Sequence, residues 1–160
     1  MHKSMTPWRN ARLAVFGLGI SVILFVIAMV LPFYSFSYFF QGKVMTFIEC
    51  MQANKQIAIP FFTIIVALVL QVIGLAFMLL LPKVKICQIL SQVFAFVGAF
   101  ASLAIFIISI CRLWVIPYEF EYVAQQSLES GYVFYVIFLF FNGILGCYTT
   151  SISGKAEEAI

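Results

Sequence analysis

The sequence predicts an all-α membrane protein, a four-helix transmembrane (tetraspan) bundle with both termini cytoplasmic, and three observations lead there. Of 160 residues, 64% are hydrophobic and only 9% charged. A soluble domain carries about 25% charged residues, so this chain lacks the polar material to cover a water-facing surface. The charges are also clustered and leave four charge-free windows, 13–42, 56–82, 86–111 and 130–154. Each exceeds the roughly 20 helical residues that cross a hydrocarbon core about 30 Å thick. Finally, the basic residues divide unequally between the two sides that these windows define.

The first span is placed over 14–31. It follows a basic start, but its apolar stretch is longer than the ~7–15 residues of a signal-peptide core and no small-x-small cleavage site follows, so it reads as a membrane anchor. The second and third spans, 59–81 and 89–110, are almost continuously apolar. That favours helices, whose backbone groups pair within the segment, over the short alternating strands of a membrane barrel. Between them Pro82-Lys83-Val84-Lys85 is too tight for anything but antiparallel neighbours. The fourth span is placed over 132–148. Pro32, Pro60 and Pro82 fall at span ends, where a missing N–H costs least. The whole chain, 1–160, reads as one domain.

Lys3, Arg9, Arg12, Lys83, Lys85 and Lys155 lie on one side of this layout, and only Lys43, Lys55 and Arg112 on the other, with four of the six acids. Six basic residues against three place the termini and the tight turn inside. The formal net charge of +3 therefore reads as topology. No basic stripe points to nucleic acid.

Aromatic residues gather where the chain leaves the membrane, including Phe39 and Phe40 after the first span and Trp114, Phe120 and Tyr122 after the third. An interfacial belt explains such residues, most directly Tyr34 and Trp114. The density of the first group leaves a partner-binding outer surface open. In the third span, Ser91, Ala95 and Ala99 recur every four residues, and Gly98 and Ser102 form a second such pair. Small residues at this spacing let membrane helices approach closely. Packing within the bundle is favoured over homodimerisation, and Gly143 and Gly146 suggest the same for the fourth span.

No ionisable residue lies inside a span, which argues against a transport or proton path. Gln71, Gln88, Gln92 and Asn142 are the larger polar residues there. Interhelical hydrogen bonding is preferred for them over a substrate site around Gln71 and Asn142. The single histidine, His2, has no grouped carboxylate or thiol partners, so metal and histidine-assisted nucleophilic chemistry are not expected, and no cofactor is implied. The four cysteines show no Cys-x-x-Cys spacing. A Cys50–Cys111 bridge on the outer side would pin the first loop to the third span, and Cys87 and Cys147 are candidate palmitoylation sites on the inner side. Each cysteine reads equally well as a free, buried thiol.

The second half carries a more specific likeness. It reads Leu113-Trp114, then Tyr118-Glu119-Phe120-Glu121-Tyr122, then Leu128-Glu129-Ser130-Gly131-Tyr132, and closes Asn142-Gly143-Ile144-Leu145-Gly146-Cys147. With the long first loop, tight inner turn and shorter second loop, this resembles the claudin-like tetraspan superfamily, which includes claudins and amastins. The first loop departs from that pattern: Cys50 and Phe39-Phe40-Gln41-Gly42 are the nearest matches to its motif, and the second cysteine and the tryptophans are missing. A paracellular barrier or pore is therefore not carried over. The resemblance implies a non-enzymatic interaction protein whose outer loops bind like or unlike membrane proteins, with the bilayer as its other partner. The plasma membrane is the expected location and the inner mitochondrial membrane the alternative. An accessory subunit of a channel or respiratory assembly is the next reading. A membrane-embedded glutathione- or eicosanoid-type enzyme follows, which its helices do not match in arginine and glutamate.

Overall fold

A computed structural model describes residues 7–38, 41–53, 58–81, 83–111 and 125–158. Four long helices form the bundle: α1 Pro7–Val30, α3 Ala58–Leu80, α4 Lys85–Ile110 and α5 Ser130–Glu158. Each is long and apolar enough to cross a bilayer, and the chain is a multi-pass membrane protein with the expected all-α bundle. Three helix ends lie well outside the spans read in the sequence, and one of them is the start of α4, at Lys85 rather than 89. α1 begins at Pro7, with its proline at the first helical position where a missing donor is harmless, and α5 runs to Glu158. Hydropathy marks the part of a helix that lipid can hold, whereas the backbone hydrogen bonding of α1 and α5 continues past it.

The bundle is inside-out relative to a soluble one. Large apolar side chains face outward, among them Phe16, Ile23, Phe62, Phe96, Phe100 and Phe140, and a lipid-facing surface of this kind carries no solvation penalty in hydrocarbon. The inward face of α1 is small or polar, with Ala11, Ala14, Ser21 and Ala28 buried, whereas α3 and α5 also bury Ile64, Phe138 and Leu139. α5 packs between α4 and α1, and α3 packs on α4, with a smaller α1–α3 contact. At the end holding the α3–α4 turn, Ala11, Ala14, Leu75, Met78 and Ile152 form one cluster. The turn itself is closed by bonds from the Val84 N–H to the Leu81 carbonyl and from the Gln88 N–H to the Val84 carbonyl, both 3.2 Å.

The opposite end carries structure that the span reading did not anticipate. A three-stranded antiparallel sheet is ordered β2-β1-β3, with β1 Pro32–Tyr38, β2 Gln41–Thr46 and β3 Gln125–Leu128. β1 pairs Ser35 with Val44 of β2 and, on its other side, Ser35 with Ser127 of β3. A short helix, α2 Phe47–Ala53, follows β2. The described parts of the two loops on this face of the bundle are thus joined in one sheet.

Candidate functional site

The sheet and α2 make the candidate interaction surface, and the residues that hold them in place come from every part of the chain. Thr46 and Glu49 start α2 as a reciprocal cap: the Thr46 N–H donates to Glu49 Oε2 at 2.7 Å, and the Glu49 N–H donates to Thr46 Oγ1 at 3.4 Å. This is the Thr-x-x-Glu capping box, which satisfies donors that a helix start leaves free. The same bonds hold the Glu49 carboxyl below the usual carboxylate range. Phe47, the next residue, is driven inward and is 1% exposed.

Phe47 lands in an aromatic cluster that joins the sheet to the bundle. Its ring meets Phe33 of β1 edge-on at 4.7 Å, Tyr135 of α5 at 5.3 Å and Phe61 of α3 at 5.7 Å. Phe33 also meets Tyr132 edge-on at 5.4 Å, and the Tyr132 hydroxyl donates to the Ser109 carbonyl of α4. Offset and edge-to-face rings contribute roughly 0.5–1.5 kcal/mol per pair beyond the area they bury. The Cys50 thiol lies in this same cluster. Burial, and secondarily the Glu49 charge, pushes its pKa up to about 11.

The second loop is tied in by Glu129. Its N–H donates to the Phe33 carbonyl at 3.1 Å. Its carboxylate accepts from Ser35 Oγ at 2.5 Å and Ser127 Oγ at 2.8 Å, and these two bonds hold its pKa below the ordinary value. Two residues on, Gly131 abuts the α1–β1 junction. A Cβ there would sit 2.7 Å from the carbonyl oxygens of both Leu31 and Pro32, so only glycine lets α5 start so close to the first loop. Outward from this frame, Lys43, Val44, Ile48 and Glu49 are exposed. Val44 and Ile48 are 57% and 47% exposed at the sheet end of the molecule.

The comparisons with known proteins give no family: no protein-family model matches the chain, and no curated protein matches it.

Phe39, Phe40, Trp114, Phe120 and Tyr122, expected on the outer surface, lie outside the described residues. Lys43, Val44, Ile48 and Glu49 were not singled out in the sequence, although the Thr46-x-x-Glu49 spacing signals the short helix that presents the last two. The structure does not bring Cys50 and Cys111 together in a bond. Both are free, with Cys50 in the aromatic core and Cys111 exposed at the end of α4. Phe47, anchored on Phe33, keeps its helix turned so that Cys50 faces the core. Cys87 is half-buried and Cys147 is exposed on α5. Among the described residues no three of His, Cys, Asp and Glu are grouped as for a metal. A shallow apolar groove of about 290 Å³ runs beneath β3, lined by Ile110, Leu128, Tyr132, Val133, Val136 and Ile137.

Inside the bundle, Ser91, Ala95, Gly98, Ala99 and Ser102 are all buried on α4, and Gly143 and Gly146 on α5. A Cβ on Gly146 would stand 2.7 Å from the Ala99 Cβ and 2.9 Å from the Ala95 carbonyl; one on Gly143 would meet Leu103 at 2.6 Å. The small-residue stripe therefore faces α5 and α3 of the same chain. Asn142 is the polar hub between them. Its Oδ1 accepts from Ser21 Oγ of α1 at 2.7 Å, and its Nδ2 donates to Ser102 Oγ of α4 at 2.8 Å. Towards the α3–α4 turn, Ser91 and Ser153 share a 2.9 Å bond.

Proposed function

We propose that this is a non-enzymatic membrane interaction protein whose outer face, built jointly by both loops, binds neighbouring membrane proteins or further copies of itself. One observation carries the reading: β1 pairs on one side with β2 and on the other with β3, and the aromatic cluster around Phe33 and Phe47 fixes that sheet to three helices. A preformed, supported surface binds at lower entropic cost than two independent loops. Val44 and Ile48 supply apolar contact beside the charges of Lys43 and Glu49. A claudin-like ancestry is consistent with this design. In this reading the sheet face lies on the side opposite the cytoplasm, because the termini and the Lys83/Lys85 turn hold the larger share of basic residues, and the plasma membrane is the membrane proposed.

The test is the native mass of the complex extracted from its own membrane in mild detergent, with its components identified. Homo-oligomers, or a stable complex with one other membrane protein, that dissociate on Val44→Asp or Ile48→Asp support the proposal. A monomer in every extract would sink it. A discrete multi-subunit particle indifferent to both variants would make the chain an accessory subunit held through its helices.

A further inference from the structure

On one side the sheet ends in an open edge, and the register shows which groups it presents. The bond from the Glu129 N–H to the Phe33 carbonyl runs on the β3 side of β1, so odd-numbered residues of β1 direct their main-chain groups toward β3. Even-numbered ones face β2, because successive residues of a strand turn these groups to opposite sides. Tyr34 pairs with Met45, Phe36 with Lys43 and Tyr38 with Gln41, which engages the odd-numbered residues of β2. The N–H and C=O groups of Gly42 and Val44 are left on the far edge. Among the described residues no strand pairs there. Gly42, Lys43 and Val44 are exposed, and a Cβ built on Gly42 would meet nothing within 4 Å. At the end of the same edge the Thr46 N–H is already satisfied by the Glu49 carboxylate, at 2.7 Å.

An open strand edge specifies the chemistry of its occupant, an extended backbone. A second copy of this chain supplies one in the right orientation. One face of the sheet rests on the bundle, with Tyr34 and Met45 buried in the cluster that holds Tyr132 and Tyr135, and the other face carries Val44. Copies in one membrane stand the same way up. A two-fold axis along the membrane normal therefore sets β2 beside another β2, antiparallel and with the same face outward, in a closed isologous pair. Charge selects the register. Lys43 set opposite Lys43 would place like charges directly across the pair, which destabilises it. Val44 set opposite Val44 joins two β-branched residues and moves each lysine beside Met45 of the other copy. Val44 then exchanges both main-chain bonds with its counterpart, and each Gly42 N–H donates to the opposing Thr46 carbonyl. Glu49, anchored on the Thr46 N–H, comes near the other copy's Lys43, so opposite charges meet at both ends of the pair.

We propose that β2 pairs antiparallel with β2 of a second copy, centred on Val44, and merges two three-stranded sheets into one across the outer face of a dimer. The proposal rests on the reading of that face as a binding surface and names its occupant.

The experiment is cysteine cross-linking of the full chain in its own membrane, in a Cys111→Ser, Cys147→Ser background, with a short bifunctional thiosulfonate. Val44→Cys, on the axis, should yield severalfold more cross-linked dimer than Lys43→Cys, whose counterpart lies diagonally across at about 7–8 Å. Gly42→Cys, farther from the axis, should yield least. Val44→Pro removes the outward N–H and spares the bonds to β1, since an edge strand tolerates proline where its N–H points away from the ladder. It should shift the native mass from dimer to monomer while the unfolding midpoint stays unchanged. Cross-linking that is strongest at Lys43→Cys, or absent along β2, would overturn the proposal, as would a dimer that persists in Val44→Pro. The wild-type native mass then separates the two readings: a complex that remains leaves the outer face a binding surface with a different contact, and a monomer removes both.

Discussion

Glu129 and Ser35 stand 94 positions apart in sequence and share a 2.5 Å hydrogen bond. That bond, with the one from Ser127, is what a carboxylate at the mouth of α5 contributes to the sheet. Both bonds depress the Glu129 pKa. A depressed carboxyl stabilises the fold above its unfolded pKa, about 4.3 for glutamate, and that contribution is lost as pH falls through the folded value.

Acidification from neutral pH to below about 4 should therefore loosen β3 from β1 while the bundle persists. Hydrogen exchange at 125–128 is the readout. Glu129→Gln should lower protection there at neutral pH and flatten its pH dependence. An unchanged pH profile in that variant would assign the effect to another group, with Glu49 the first to examine because its carboxyl is depressed as well.

Asn142 links α1, α4 and α5 through two side-chain bonds. Asn142→Leu leaves Ser21 and Ser102 buried without their partner and should cost about 1–3 kcal/mol, read as a shift in the detergent unfolding midpoint. Ser21→Ala should cost less, because Asn142 keeps its bond to Ser102.

Two glycine-to-alanine changes should have opposite consequences. At Gly146 the new methyl meets the Ala99 Cβ and the Ala95 carbonyl under 3 Å, and overpacking of this kind costs roughly 1–3 kcal/mol. At Gly19 nothing lies within 4 Å, so Gly19→Ala should leave stability unchanged or raise it by about 0.5–1 kcal/mol. Paired unfolding curves decide it, and equal losses at both sites would contradict the packing described for α5.

Cysteine reactivity should follow burial. The Cys50 thiol, enclosed and with its pKa pushed up to about 11, should resist a water-soluble maleimide at neutral pH until the protein is unfolded. Cys111, exposed beside the sheet, should react readily in the native state. Peptide mapping without reductant should find no Cys50–Cys111 linkage.

The bundle was legible because lipid imposes a simple rule, that a charge-free run of about 20 residues must be helical. The stripe from Ser91 to Ser102 was legible for a related reason, since only small side chains allow helices to approach as α4 and α5 do. The sheet was missed although part of its signal was present. Tyr34-Ser35-Phe36-Ser37-Tyr38 alternates apolar and polar residues as a half-buried strand does, but these aromatics follow a span and read as a belt at the membrane surface. β3 is four residues of Gln-Gln-Ser-Leu with no apolar period, and it exists because β1 offers it an edge. Leu128-Glu129-Ser130-Gly131 attracted notice only as part of a family likeness. Its physical meaning, a carboxylate binding two serines and a glycine against two carbonyls, depends on residues far away in the chain.

The pairing of β1 with β3 also sets an order of assembly. Synthesis runs from the amino terminus, so α1 and the β1–β2 hairpin exist long before residues 125–131 emerge. Until the last helix is inserted, β1 has one open edge, Ser21 has no Asn142 to bond, and Phe33 lacks Tyr132 and Tyr135. The nascent chain therefore carries an unfinished sheet until α5 is in place, and insertion of that helix completes the sheet and the polar core of the bundle in a single event.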